Sequence, residues 1–191
     1  LRTVAIVLMV VFHFIYDLKF FGYVDWDIPD GEGWRTFRHI ILSSFFICLG
    51  ASLHLSYQRA INWKKFTKRL IQIFASALAI SLVSLLMVPE NYIYFGVLHV
   101  IAVASLHCIM FANKPRISLL IGLGIIATYN IGWVSAIWPF NYIRSYLPSY
   151  SNDYVSLFPW IGVVFIGIWF ASTAFLQNDP LKHIEKNTWL A

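Results

Sequence analysis

Leu1-Arg2-Thr3-Val4-Ala5-Ile6-Val7-Leu8-Met9-Val10-Val11-Phe12-His13-Phe14-Ile15-Tyr16-Asp17-Leu18 opens the chain, and its reading decides the fold. Between Arg2 and Asp17 the run is apolar apart from Thr3, His13 and Tyr16. Continued to residue 21, it is long enough to cross a hydrocarbon layer of ~30 Å at ~1.5 Å per helical residue. Further apolar runs follow at 35–56, 67–88, 94–112, 116–134 and 155–176. Helices are expected, because lipid offers no partner to an exposed backbone group. The alternating runs of about ten residues that a β-barrel needs do not occur. The sequence therefore predicts an all-α, polytopic integral membrane bundle of about six spans, forming one domain over 1–191.

Composition supports this outward from the first run. Of 191 residues, 59% are hydrophobic and only 12% charged, and the mean hydropathy is +0.69. A soluble domain carries about 25% charged residues. Disorder, a collagen-like fibre and a disulfide scaffold are excluded. Cys48 and Cys108 sit inside apolar runs without a C-x-x-C pattern, so they read as small hydrophobes, with neither a disulfide nor a metal site expected. The sequence pI of 9.3 would suit nucleic acid. The basic residues lie between apolar runs, however, where membrane topology accounts for them, and no nucleic-acid partner is predicted.

With the N-terminus placed in the cytosol, that side receives ten Lys and Arg: Arg2, Arg59, Lys64, Lys65, Lys68, Arg69, Lys114, Arg116, Lys182 and Lys186. The other side receives four: Lys19, Arg35, Arg38 and Arg144. The imbalance predicts both termini in the cytosol. The first run lacks a small-residue cleavage site and reads as a retained span rather than a leader.

Ionisable groups inside a span face a cavity or a partner, because lipid penalises them. His13 lies eleven residues past Arg2, about three turns and ~16 Å along one helix face. That spacing puts Arg2 at the cytosolic surface and His13 near the bilayer midplane. Asp17 follows one turn later, where it is expected to hold the imidazole; a simple His–Asp lock between helices is the structural alternative. Arg35 and His39 are also one turn apart, beside the acidic loop 22–34 that carries Asp27 and Trp34. His39 is expected to partner Asp17 or to hold an acceptor. Carboxylates and aromatic faces suit a sugar-binding mouth, with an interfacial aromatic belt as the alternative. His99 is expected one or two turns below the outer surface, in a cavity or as a satisfied core histidine. His54 is expected to snorkel at the cytosolic end, and His107 and His183 to be incidental. Lys65 and Arg69, one turn apart, suit an anionic partner, either lipid phosphate or a phosphorylated cofactor. Small residues such as Ala75, Ala79 and Gly122 permit close helix packing, including in a homo-oligomer.

Arg2 followed by ten residues and then His13 resembles the opening helix of the transmembrane acyltransferase superfamily. The similarity is closer to a bacterial branch related to the heparan-α-glucosaminide N-acetyltransferase catalytic domain. It extends to Phe12-His13-Phe14-Ile15-Tyr16-Asp17-Leu18, to Phe37-Arg38-His39-Ile40-Ile41-Leu42 and to Cys48-Leu49-Gly50-Ala51-Ser52-Leu53. Tyr94-Phe95-Gly96-Val97-Leu98-His99 and Phe158-Pro159-Trp160-Ile161-Gly162-Val163-Val164 also carry it.

The resemblance implies transfer of an acetyl group from cytosolic acetyl-CoA to an extracytoplasmic acceptor glycan or small sugar. The setting would be a bilayer, the bacterial inner membrane. It implies Arg2 at the CoA phosphates and His13 near the thioester; the residues themselves add Arg69 and Lys65 as cationic partners of the cofactor, His13 as base or acyl carrier, and Asp17 and His39 in support. Arg35, His99, Trp34 and Asp27 are the expected acceptor contacts. The family's lysosomal branch carries its catalytic histidine in the first luminal loop, whereas residues 22–34 hold no histidine, so His13 takes the role here. Relatives continue past Trp189-Leu190-Ala191 into another helix, which implies a truncated domain. Two other classes fit the residues: a proton-coupled transporter with His13 and Asp17 as relay, and a haem carrier with paired histidines as axial ligands.

Overall fold

The computed structural model describes residues 2–151 and 153–173. Six α-helices follow in order: α1 (Arg2–Phe20), α2 (Glu32–Tyr57), α3 (Trp63–Met87), α4 (Val97–Cys108), α5 (Pro115–Asn130) and α6 (Trp160–Ala171). Short 3₁₀ turns occupy Pro89–Asn91, Ile109–Phe111 and Phe140–Tyr146, and no strand occurs among the described residues. Lys182, Lys186 and His183, with the last part of the predicted span 155–176, lie outside the described residues.

Successive helices alternate direction. The proximal end of the bundle holds the start of α1, the α2–α3 turn and the α4–α5 turn. The distal end holds residues 21–31, 88–96 and 131–159. Arg69 Nη1 donates to Ser52 Oγ (3.4 Å) at the proximal end, and Arg38 Nη2 donates to the Tyr154 carbonyl (2.8 Å) at the distal end.

Helices α1, α2 and α3 are long and apolar enough to cross a membrane, whereas α4 and α6 are shorter apolar helices. The sequence overestimates the later helices for an identifiable reason. Val155 and Leu157 are apolar because they are buried in the core, not because they are helical. The Val155 N–H donates to the Phe95 carbonyl (3.1 Å), so this buried irregular segment keeps its backbone satisfied. Pro159 then precedes the first residue of α6, as Pro115 opens α5, where a missing N–H costs least.

Glycine sets the packing of α6. A Cβ on Gly50 would lie 2.0 Å from the Val164 carbonyl oxygen, and one on Gly167 would lie 2.5 Å from that of Ile47. Gly122 and Gly162 are reciprocal in the same way: each Cβ would meet the other's carbonyl oxygen, at 2.7 and 2.9 Å. Helix α6 is thus pressed backbone to backbone against α2 on one side and α5 on the other, the close approach that small residues allow. Phe46, Val164 and Ile168 are fully buried in this block. By contrast, α1 buries only Ala5, and α3 only Phe66 and Ala77. Their remaining apolar faces, including Val4, Val7, Val10, Ile71 and Phe74, are exposed, as helices bordered by lipid require.

Candidate active site

Between the two exposed helices and the packed block lies a cavity of about 700 Å³. Helix α1 contributes Met9, Phe12, His13, Tyr16 and Asp17, and α2 contributes Arg38, Ile41, Leu42 and Phe45. Ala77 and Ile80 line it from α3, Val97 and His99 from α4, and Asp153 from the distal loop. The wall is mostly apolar, with a few convergent polar groups, which is the usual make-up of a small-molecule site.

His13 Nδ1 lies 2.9 Å from the Met9 carbonyl oxygen. A carbonyl only accepts, so this contact places the proton on Nδ1 and leaves the Nε2 lone pair for another partner. Asp17 lines the same cavity one turn further on, but it does not hold the imidazole: the ring is oriented by its own helix backbone.

His99 is also in the cavity wall, yet both its ring nitrogens are engaged. Nδ1 accepts the Gly96 N–H (3.1 Å), and Nε2 pairs with Ser81 Oγ (3.2 Å), whose hydroxyl donates to the Ile93 carbonyl (2.7 Å). An accepting Nδ1 leaves the proton on Nε2, so His99 is a neutral brace tying α4 to α3.

His39 does not reach the cavity. Its ring packs on Trp160 of α6, with centroids 5.7 Å apart, and Trp160 also meets Phe46. The neighbouring Arg38 faces the cavity instead, because one residue turns a helix by about 100°. The spacing Arg38-Ile41-Leu42-Phe45 carries that signal in the sequence. His54 is buried and its Nδ1 contacts the Ala112 carbonyl oxygen (2.7 Å), rather than snorkelling as the sequence suggests. His107 is exposed and turns back on the Val103 carbonyl (2.8 Å). Of the four histidines weighed as haem ligands, His13 and His99 line the cavity, whereas His39 packs on Trp160 and His54 on the Ala112 carbonyl.

The remaining predicted residues lie outside the cavity wall. Arg2 is exposed on the first turn of α1, with its charge in reach of Cys48 on α2. Arg69 is half-buried near Ser52, beside a small recess lined by Leu53, Phe66 and Ser105. The Lys65 side chain is exposed, while its backbone N–H is capped by Asn62 Oδ1 (3.1 Å). At the distal end Trp34 stacks on Trp26 (centroids 5.8 Å apart) and meets Phe12 edge-on (6.3 Å), so it stands directly behind the His13 turn. Arg35 and Asp27 are exposed and line no part of the cavity wall.

The charged pair that sequence reasoning did not single out is Arg38 and Asp153. A Cβ on Gly96 would come 2.9 Å from Asp153 Oδ2, so the glycine makes room for the carboxylate at the start of α4. Burial raises the Asp153 pKa above the ordinary carboxylate range; the Arg38 cation, the Val97 backbone N–H and His13 each oppose that rise. Asp153 lies 115 positions beyond Arg38 in sequence, and no local periodicity joins them. Among the described residues, no group of His, Cys, Asp and Glu is arranged to hold a metal ion.

Over residues 1–190 the chain matches the family described as heparan-alpha-glucosaminide N-acetyltransferase, catalytic. No curated protein and no solved structure matches it.

Proposed function

Because the chain belongs to the heparan-alpha-glucosaminide N-acetyltransferase catalytic family, we propose that it transfers an acetyl group from acetyl-CoA to a sugar amine or hydroxyl across a bilayer. The observation that carries this reading is the His13 ring. Its backbone contact leaves Nε2 as a base in the wall of a cavity of about 700 Å³; Arg2 lies about three turns earlier on the same helix face. The proximal end is the cytosolic one, since Arg2, Lys64, Lys65, Lys68 and Arg69 gather there. The distal end, with Trp34, Arg35 and Asp27, receives the acceptor.

Acetyl-CoA lays its phosphates against Arg2, Arg69 and Lys65 and extends its thioester towards His13. The acceptor nitrogen or oxygen attacks the thioester carbon. His13 Nε2 takes the proton released as the new bond forms, and returns it to the departing thiolate. The apolar wall from Met9, Phe12, Ile41 and Phe45 keeps bulk water from the thioester and limits hydrolysis. Acetylation of Nε2 itself, followed by transfer to the acceptor, uses the same lone pair and the same geometry.

The test is acetyl-CoA binding to the detergent-purified protein by calorimetry, for wild type and Arg2→Ala. A saturable isotherm, weakened about ten-fold by Arg2→Ala, supports phosphate recognition at the proximal end. A folded wild-type protein that does not bind acetyl-CoA contradicts the reading.

A further inference from the structure

Asp153 is the one carboxylate in the cavity wall contributed by the distal loop, and three features hold it there. The carboxylate occupies the space left by Gly96 at the start of α4, and the Arg38 guanidinium on α2 stands near it while holding the adjacent Tyr154 carbonyl. The loop itself is laced to the segment before α4, through Ser151 Oγ donating to the Tyr92 carbonyl (3.0 Å) and the Val155 N–H donating to that of Phe95 (3.1 Å). The group is therefore fixed, not a solvated loop acid, and it shares the cavity with His13.

Resting on the acetyl-transfer reading, we infer that Asp153 is a second proton acceptor of this site, taking the proton that an amine acceptor must lose before it can attack. Acylation of an ammonium releases two protons, and His13 offers one lone pair. His99 cannot serve as the second base, since both its nitrogens are occupied. The ammonium first gives one N–H proton to the Asp153 carboxylate, leaving a neutral amine. Its nitrogen lone pair forms the C–N bond as the C–S bond breaks. The second N–H proton passes to His13 Nε2 and then to the CoA thiolate, giving the free thiol. Asp153 releases its proton to the distal solvent, so the net yield is one amide, one thiol and one proton.

The groups around Asp153 set when it can act. Arg38 on α2 and His13 on α1 act on its charge, and Asp17 of α1 and His99 of α4 line the same cavity. Desolvation raises its pKa and Arg38 is the main opposing charge. The carboxylate is lost as a base when pH falls through this raised pKa, above the range of an ordinary aspartate. Removing Arg38 pushes that limit higher still.

The experiment measures kcat/KM for acetyl transfer from acetyl-CoA to glucosamine from pH 5 to 9, in wild type, Asp153→Asn and Arg38→Gln. Asn keeps an oxygen to face the Val97 N–H, so α4 retains its start. Asp153→Asn is expected to lose about ten-fold or more at pH 6, yet come within about three-fold of wild type at pH 9, where solution supplies the free amine. In Arg38→Gln the acid limb moves to higher pH. A ratio of Asp153→Asn to wild type that stays constant across this range overturns the inference, as does an acid limb unmoved in Arg38→Gln. If Asp153→Asn does not fold, the Arg38→Gln limb decides alone. Wild-type protein with no transfer at any pH would instead defeat the acetyl-transfer reading beneath it.

Discussion

The two sides of the cavity are built in opposite ways. On one side stands α2, held from behind by α6, which meets α2 and α5 backbone to backbone at Gly50, Gly167, Gly122 and Gly162, with the core around Phe46 and Ile168. On the other, α1 and α3 bury almost nothing within the chain. The residue proposed as base, His13, stands on the loosely held side. Arg38, which braces the distal loop, stands on the tightly packed side. Close packing fixes a reference wall. The cavity lies between that wall and the exposed helix beside it.

Substitutions at the glycine contacts should break this contrast most severely. Gly50→Leu drives a side chain into the Val164 carbonyl, 2.0 Å from the Cβ position, where no rotamer gives relief. A loss of about 3 kcal/mol or more is expected, read as aggregated protein on size exclusion in detergent. A smaller effect is expected where α3 is tied to α4. Ser81→Ala removes the partner of the His99 Nε2–H and leaves it in a half-buried place. About 1–3 kcal/mol should be lost, seen as a lower thermal midpoint with acetyl-CoA binding retained. The smallest effect belongs to the outer face of α1. Val7 is 55% exposed, and Val7→Ala should change stability by less than about 0.5 kcal/mol and leave transfer intact. A large destabilisation there would mean that α1 is packed against a partner, and the contrast would dissolve.

How much of this was legible in the sequence depends on range. The bundle was legible, because apolar runs of span length leave lipid little alternative. His13 was legible as the polar intruder in the first run. The division of labour at residues 38 and 39 was not read: both follow Phe37 in a polar patch, and the signal, Arg38 in helical register with the apolar Ile41, Leu42 and Phe45, becomes plain only once His39 is seen packed on Trp160. His54 looked terminal, yet a carbonyl 58 positions away, at Ala112, buries it. Residues 155–159 read as helix because burial in an irregular segment selects the same apolar side chains as burial in a span. Asp153 was invisible for the most physical reason: its site is made by Gly96 and Arg38, which chain topology, not periodicity, brings beside it.

The central claim is that His13 does chemistry while Arg2 holds the donor. The most direct measurement is acetyl transfer from acetyl-CoA to glucosamine by purified wild type and His13→Ala, with acetyl-CoA binding measured on the same samples. The account predicts that His13→Ala binds acetyl-CoA as wild type does and loses about 10²–10⁴-fold in turnover. Near-normal turnover in a folded His13→Ala protein would contradict it, by either the direct or the acetyl-histidine route.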